Sequence, residues 1–329
     1  MEPFAEPAAQ YAAFVTEAQG ESLCFEEWAR GVASDPEVLA WLGTLPEGKR
    51  QPNLVFAAAR WYGVPAPGPY DALRAALLTD DGPIRATILR RSTQTNEVGR
   101  LATLAPAFAA LADGRPLALL EVGASAGLCL YPDRYDYAWR TAGGLVRSAS
   151  GAGPLLSCEV SGAAPLPQHA PPVAWRGGID RNPLDVTDAD AMRWLRTLVW
   201  PEHEDRRRRL EQAIEIARRD PPDLVRGDLR DGLPALVERA AAAGPVVVFH
   251  SAVVAYLEPA DRDRFHRLMT GLVAAGSCHW VSNEAKGVLP AVTATGPAIP
   301  EEVPTFVLGV DGRAVAWTHG HGRSMTWLA

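Results

Sequence analysis

The segment from Leu117 to Gly127 constrains the fold of this chain more than any other. It begins with the apolar run Leu117-Ala118-Leu119-Leu120-Glu121-Val122 and continues into the small-residue stretch Gly123-Ala124-Ser125-Ala126-Gly127. A short apolar run is typical of a parallel strand buried on both faces of a sheet. The glycines permit a tight turn that brings the backbone close to a ligand. The segment therefore predicts a central strand that ends in a ligand-binding loop and leads into a helix.

Strand-like and helical patterns alternate after this segment. Apolar strand-like runs occupy 172–179, 223–225, 246–250 and 279–282, and helical patterns occupy 188–199, 203–219, 233–243 and 261–275. Such alternation predicts an α/β fold with a parallel sheet. Asp311-Gly312 separates two further strand-like runs and predicts a tight antiparallel hairpin. Parallel strands followed by a terminal hairpin favour a class I methyltransferase-like Rossmann sheet over that of a nicotinamide dehydrogenase.

Two domains are predicted from the change of pattern along the chain. Apolar residues recur at helical spacing through 1–112, which predicts a helical N-terminal unit, and 113–329 would form the Rossmann-like domain. The stretch between Gly127 and Asp180 is longer than a strand-helix-strand unit needs, so it must contain an insertion. Strand-like runs at 144–148 and 155–160 predict an inserted hairpin, at about 140–170, that covers the site together with the helical unit.

Composition narrows the possible partners. Hydrophobic residues make up 47% of the 329 residues and charged residues 22%, as in ordinary globular proteins. A formal charge of −7 gives no general attraction to nucleic acid or anionic membranes. The four cysteines are far apart and predict no metal site and no disulfide framework, so we expect a cytoplasmic protein with reduced thiols. The expected partner is a small-molecule substrate.

The spacing of the loop distinguishes between two classes of cofactor. A dinucleotide fingerprint would require glycine at positions 123, 125 and 128, but Ser125 and Leu128 occupy two of these. The spacing acid-x-Gly-x-small-x-Gly fits Glu121, Gly123, Ser125 and Gly127, and is that of the first methyltransferase motif. We therefore expect S-adenosylmethionine as cofactor, with S-adenosylhomocysteine as product. Glu121, Gly123, Ala124, Ser125 and Gly127 would bind it, although a plain turn has the same composition.

Two acidic residues follow the next strands at suitable places. Asp180 ends the second predicted strand, where a carboxylate would accept the ribose hydroxyl protons. Asp228 follows the third, where the adenine amino group would lie. Either aspartate is equally well explained as the cap of the following segment.

The residues after the fourth and fifth strands are the catalytic candidates. His250 would lie beside the cofactor at the end of the fourth strand, and a histidine has a suitable pKa for a general base. Tyr256 and Glu284 are further catalytic candidates. The alternative for His250 is a structural hydrogen bond in the turn. His319 and His321 have no evident third metal ligand and favour a solvated loop.

The polar segment Gln94-Thr95-Asn96-Glu97-Val98-Gly99-Arg100 precedes the helix that leads to the first strand. We expect Asn96 to contact the cofactor, and Gln94, Glu97 and Arg100 to contact the substrate. The alternative is a polar junction between the helical unit and the sheet.

Several motifs together resemble one bacterial family. They are Gln94 to Arg100, Glu121 to Leu128 with Asp133-Arg134-Tyr135, Gly178 to Asp185, Trp194-Leu195 with Val199-Trp200-Pro201, and Val248 to Ser251 with Tyr256-Leu257. The chain resembles the domain of unknown function 2332 family over nearly its whole length. The resemblance implies a methyltransferase-like core and a methyl donor. Cys129 stands where that pattern has Asn.

Three functions remain open at this stage. The first is a small-molecule methyltransferase that favours O-methylation, since the N/D-P-P-Y tetrad of amino-group methyltransferases is absent. The second is a noncatalytic adenosyl-binding sensor or scaffold. The third is an NAD-dependent oxidoreductase, which would need an unusual fingerprint.

Overall fold

The protein has a mixed α/β fold with one large sheet. The computed structural model describes residues 6–149, 151 and 153–328. The helices are α1 (Pro7–Ala18), α2 (Leu23–Ser34), α3 (Pro36–Gly43), α4 (Pro52–Trp61), α5 (Tyr70–Leu78), α6 (Pro83–Arg90), α7 (Leu101–Ala112), α8 (Ala189–Leu198), α9 (Glu204–Arg219), α10 (Leu229–Ala241), α11 (Pro259–Ala274) and α12 (Pro290–Thr293). The strands are β1 (Leu117–Val122), β2 (Asp136–Thr141), β3 (Gly144–Ser148), β4 (Leu155–Ser161), β5 (Val173–Asp180), β6 (Asp223–Arg226), β7 (Val246–Ser251), β8 (His279–Ala285), β9 (Phe306–Val310), β10 (Arg313–Thr318) and β11 (Ser324–Trp327).

The chain divides into two compact units. One contains Met1–Thr95 and Ala189–Arg207, and the other contains Asn96–Asp188 and Arg208–Ala329. This division differs from the predicted boundary at residue 112, because α7 belongs to the unit of the sheet. It also differs in that α8 returns to the helical unit. The reason is that amphipathic spacing identifies a helix but not the surface on which it packs.

The helical unit is built around an aromatic core. The rings of Phe14, Phe25, Trp28 and Phe56 pack with centroids 5.0–6.4 Å apart, and Trp200 lies 5.4 Å from Phe14. Burial of such large rings supplies much of the stability of a small helical unit.

The parallel core of the sheet has the order β6-β5-β1-β7-β8. The chain leaves β1 toward β5 on one side and later returns to β7 on the other. Ligands of open parallel sheets bind at such a switch point, beyond the carboxyl ends of the strands. The predicted terminal hairpin is present as β9 and β10, with β9 antiparallel to β8.

The inserted strands differ from the predicted hairpin. β3 and β4 do not pair with each other, because β2 lies between them, antiparallel to β3 and parallel to β4. β4 also pairs with β11, so the insertion lengthens the sheet at the edge far from β1, and the sheet has eleven strands among the described residues. The insertion is therefore an extension of the sheet and not a separate hairpin.

The loop after β1 does not lead into an α-helix, contrary to expectation. Two short 3-10 turns, Leu128–Leu130 and Pro132–Arg134, follow it and connect directly to β2. A single turn of this type does not provide the aligned peptide dipoles of an α-helix.

The two faces of the sheet are covered by different helices. Ala118, Leu120 and Val122 belong to an apolar cluster with residues of α10 and α11. Side chains alternate along a strand, so Leu119 and Glu121 lie on the opposite face. We call this the α7 face, because Phe249, the partner of Glu121 in the strand register, packs on Phe108 of α7 at 5.1 Å. Within the described part of the chain, none of the helices has the length and apolar character needed to cross a bilayer.

Candidate functional site

The loop after β1 has a tightly folded backbone. Gly123, Ser125 and Gly127 all have positive φ, at 69°, 52° and 69°. The Gly123 amide donates to the Ile179 carbonyl at 2.8 Å, which fastens the loop to β5. A Cβ at position 123 would lie 2.5 Å from Val253 Cγ1, so glycine is required there for packing as well as conformation. Ala124, whose side chain is fully buried, packs on Gly178 of β5.

Asp180 is joined directly to this loop. Its Oδ2 accepts from the Ser125 amide at 2.8 Å, and its Oδ1 accepts from the Asn182 amide at 2.7 Å. These two contacts fix both carboxylate oxygens of Asp180 against the backbone that follows β1 and β5. The structure thus brings together the predicted loop and the predicted ribose-binding carboxylate.

Glu121 lies at the end of β1 on the α7 face, with 6% of its surface exposed. Its Oε2 is buried and has no hydrogen-bond partner among the described residues, and the same holds for Ser125 Oγ. Burial raises the pKa of Glu121 well above its ordinary value, and the nearby Asp180 carboxylate raises it further, whereas Arg100 opposes the shift. The end of β1 and the loop after it therefore hold two buried polar atoms without a hydrogen-bond partner in the part of the chain that the structure describes.

The segment before α7 forms one wall of this region. Asn96 Oδ1 accepts from the Leu128 amide at 2.9 Å and so holds the end of the loop. Cys129 Sγ donates to the Glu97 carbonyl at 3.7 Å, and burial raises the pKa of this thiol well above its ordinary value. Cys129 is thus a packed, protonated thiol. Gln94 falls in the helical unit, at the end of its first segment.

Arg100 joins two strand ends through its guanidinium group. Its Nη1 donates to the Ser251 carbonyl at 2.9 Å, and its Nε donates to the Gly320 carbonyl at 2.8 Å. The same guanidinium lowers the pKa of Glu121, so it lies near the buried carboxylate. Two directed hydrogen bonds fix the plane of the fork.

The C-terminal loop packs on the same segment. Glu97 Oε1 accepts from the Gly99 amide at 3.0 Å, while its Oε2 lies 3.4 Å from His321 Nδ1. A Cβ at Gly322 would lie 2.1 Å from the Gly99 carbonyl oxygen. His321 thus lies beside a buried carboxylate, while 37% of its own side chain remains exposed.

His250 lies on the face of the sheet opposite to Glu121. It is fully buried, and it follows Val246 and Val248 along the side of β7 that packs against α10 and α11. The Trp280 indole donates to His250 Nε2 at 3.1 Å, so the proton is on Nδ1, which donates to Glu284 Oε1 at 2.7 Å. Both ring nitrogens are therefore engaged. This geometry corresponds to the structural alternative and offers no nitrogen for a general base.

Glu284 organises the turn after β7. Its Oε1 also accepts from the amides of Val253 and Val254, at 2.9 and 3.1 Å. Val253 is the residue that packs against Gly123. Glu284 thus supports the loop after β1 through Val253 and lies on the same face as His250.

Asp228 and Tyr256 have separate environments. Asp228 is the N-cap of α10, where its Oδ1 accepts from the Arg230 amide at 3.0 Å and its Oδ2 is ion-paired with Arg181 and Arg230. The hydrogen bond from the Arg230 side chain holds the pKa of Asp228 well below its ordinary value. The capping alternative therefore describes its contacts. Tyr256 is an exposed residue of a 3-10 turn after β7.

Sequence reasoning missed a polar group on the α7 face. Thr318 Oγ1 donates to Asn283 Oδ1 at 2.7 Å, and Asn283 Nδ2 donates to Ser251 Oγ at 2.9 Å. Ser251 is adjacent to His250, and the alternation of side chains along β7 places the two on opposite faces. The sequence alone does not show which of these faces is the apolar one.

The loop has a second possible interpretation. Gly123-Ala124-Ser125-Ala126-Gly127 also has the Gly-x-Ser-x-Gly spacing of a hydrolase nucleophile. A serine nucleophile needs a base within hydrogen-bond reach and a helix after the turn. Ser125 Oγ has no such partner in the described chain, and a 3-10 turn follows. The geometry does not support a serine hydrolase.

Comparison with known proteins identifies the family. The profile of the family described as "Uncharacterized protein conserved in bacteria (DUF2332)" matches residues 8–327. The chain belongs to this family. No curated protein and no solved structure matches the chain. Membership of the DUF2332 family therefore accounts for the sequence motifs but does not assign a reaction.

Proposed function

We propose that this DUF2332 protein is an S-adenosylmethionine-dependent methyltransferase that acts on a small molecule by O-methylation. The observation that carries the proposal is the pair of buried atoms Glu121 Oε2 and Ser125 Oγ, which lack partners in the described structure at the end of the central strand. A buried polar atom without a partner lowers the stability of the folded protein by about 1–3 kcal/mol. A ligand that forms hydrogen bonds with both atoms would remove this cost, which favours its binding.

The charges at this end of the sheet complement the cofactor. S-adenosylmethionine bears an ammonium group, a sulfonium and a ribose diol, and its sulfonium supplies an electrophilic methyl group. Glu121 would accept from the ammonium group and so satisfy its Oε2. Asp180, fixed by the Ser125 amide, would accept from the ribose hydroxyls. Asn96 would act indirectly, by holding the end of the loop.

The local backbone favours this ligand over a dinucleotide. A pyrophosphate is bound at the N-terminus of the α-helix that follows a glycine-rich loop, where free amides and the dipole attract it. Here a 3-10 turn follows the loop, and the nearby side chains include Glu121 and Asp180. A site with these two carboxylates suits a cationic ligand without phosphate.

Calorimetric titration of the full chain with S-adenosylmethionine, S-adenosylhomocysteine and NAD tests the proposal. We expect binding of both adenosyl ligands and none of NAD. Asp180→Asn should weaken adenosyl binding about tenfold or more, because a hydrogen bond to a charged group contributes ~1.5–3 kcal/mol. Asp263→Asn, at an exposed position of α11, is the matched control and should leave the affinity unchanged.

Absence of adenosyl binding by the wild-type protein would refute the proposal. Binding without release of the demethylated product from any acceptor panel would instead assign the protein as a noncatalytic adenosyl-binding module.

A further inference from the structure

Thr318, Asn283 and Ser251 form a chain of hydrogen bonds at the end of β7. The Thr318 hydroxyl donates to Asn283 Oδ1 at 2.7 Å, and Asn283 Nδ2 donates to Ser251 Oγ at 2.9 Å. Asn283 and Thr318 are buried, and Ser251 is half-buried. The Ser251 hydroxyl, whose oxygen already accepts, has its own proton left to donate, and no described residue accepts it.

A second donor, Arg100, is hydrogen-bonded to the backbone carbonyl of Ser251. Arg100 uses Nη1 and Nε for the carbonyls of Ser251 and Gly320, and its Nη2 has no acceptor among the residues described. Ser251 and Glu121 lie on the same face of the sheet, at the same edge of adjacent strands. The end of β7 on the α7 face thus presents an oriented hydroxyl donor and a fixed guanidinium group.

We infer that these two groups bind a carboxylate, and that the acceptor is therefore a small carboxylic acid; this rests on the proposed methyltransferase function. A carboxylate accepts from both donors and balances the charge of Arg100. It also reaches the site already ionised at neutral pH, so the reaction needs no base. This agrees with the position of His250, which lies on the other face with both ring nitrogens engaged.

The transfer is balanced without any proton movement. One oxygen of the acceptor carboxylate forms a bond to the methyl carbon as the methyl–sulfur bond breaks. The electron pair of that bond remains on sulfur, and the products are a methyl ester and a neutral thioether. Ser251 and Arg100 hold the second carboxylate oxygen and direct the first, which is a positioning effect.

Ligand-observed NMR tests the inference without turnover. The full chain is mixed with a panel of small carboxylic acids and the primary alcohols of the same carbon skeletons, with and without S-adenosylhomocysteine. We expect saturation transfer to acids and none to alcohols. Ser251→Ala should weaken binding of the acids about tenfold, whereas Ser251→Thr, which keeps the hydroxyl, should retain it. Ser157→Ala, on the exposed side of β4, is the matched control.

A second measurement uses mass spectrometry to detect methyl esters formed from the same acids with S-adenosylmethionine. Ester formation that is reduced in Ser251→Ala supports the inference. Methyl ethers from the alcohols, or no binding of any acid while calorimetry shows S-adenosylhomocysteine bound, overturns it. If calorimetry shows no adenosyl binding, the proposed function fails, and carboxylate binding is then decided by the NMR arm without nucleoside.

Discussion

The burial of Glu121 affects the stability of the protein and, in the proposed function, the binding of the cofactor. Its carboxyl group lies at the end of a strand whose other residues are apolar, and one of its oxygens has no partner in the described chain. A buried polar atom without a partner lowers the free energy of unfolding of the protein when no ligand is bound. A residue that costs stability at the end of a central strand is typical of a functional site.

Glu121→Gln should stabilise the protein without ligand in a pH-dependent way. The pKa of Glu121 is higher in the folded protein than its ordinary value of 4.5, so the folded state binds this proton more tightly than the unfolded chain does. The stability contributed by this group is therefore complete below pH 4.5 and declines as the pH rises toward the folded pKa. At pH 8 we expect the variant to gain about 1–3 kcal/mol in free energy of unfolding. Denaturant titrations at pH 4.5 and pH 8 measure the difference.

The same variant should bind S-adenosylmethionine at least about tenfold more weakly, because the carboxylate for the ammonium group is lost. Glu159→Gln, at an exposed ion pair with Arg140, is the control for removal of a glutamate charge. A stability gain that does not change with pH would show that the Glu121 carboxyl is not the source of the effect.

Asp228→Ala should affect stability and leave ligand binding intact. The side chain caps α10 and pairs with two arginines, so its removal should cost about 0.5–2 kcal/mol of stability. Because the pKa of Asp228 is lowered in the folded protein, this stabilisation is present above its ordinary value of 3.8 and is lost as the pH falls. Thermal unfolding and calorimetry measure the two effects. A large loss of adenosyl affinity would restore the adenine-binding role expected from the sequence.

At the scale of elements, the loop after β1 and the turn after β7 pack against each other. Glu284 accepts from the Val253 and Val254 amides, and Val253 packs on Gly123. The order of the loop after β1 therefore depends on a carboxylate that lies on the opposite face of the sheet from Glu121. This is why His250 and Glu284 act by support in this account and not by contact with a substrate.

Gly123→Ala and Gly114→Ala should differ in cost. Both glycines have positive φ, at 69° and 74°, but a Cβ at Gly114 meets nothing within 4 Å, whereas one at Gly123 meets Val253. Gly114→Ala should cost about 1–2 kcal/mol for conformation alone. Gly123→Ala should cost a further ~1–3 kcal/mol for the clash. Equal losses in denaturant unfolding would mean that the contact with Val253 is not tight.

Glu284→Ala should destabilise the protein by about 3–5 kcal/mol, since His250 and two backbone amides lose their acceptor in a buried place. Glu284→Gln keeps an amide oxygen for the two backbone donors and should retain much of the stability. Comparison of the two by thermal unfolding separates the hydrogen-bond role from a catalytic one. Equal stability of Glu284→Ala and wild type would contradict the supporting role.

The sequence predicted the elements that depend on local pattern. The five parallel strands and the terminal hairpin follow from apolar runs and from Asp311-Gly312, and the structure confirms them. The residues of β7 that face α7 could not be predicted in this way. A shift of one residue exchanges the faces of a strand, so His250 and Ser251 lie on opposite faces although they are neighbours in sequence.

At the scale of the whole molecule, the division into units was only partly predictable. Helical spacing identified the helices before β1, but not that α7 packs in the unit of the sheet or that α8 returns to the helical unit. The place of β2, β3 and β4 also depends on long-range pairing with β11, which no local pattern encodes. What the sequence located correctly is the pair of segments that meet at Ser125 and Asp180.

The central claim is that an adenosyl ligand binds at the end of β1, and a crystal structure with S-adenosylhomocysteine tests it most directly. We expect density for the adenosyl group between Gly123 and Asp180, with the ribose hydroxyls on Asp180 and the ammonium group on Glu121. Density for the ligand elsewhere, or an empty switch point at saturating ligand, would contradict the account.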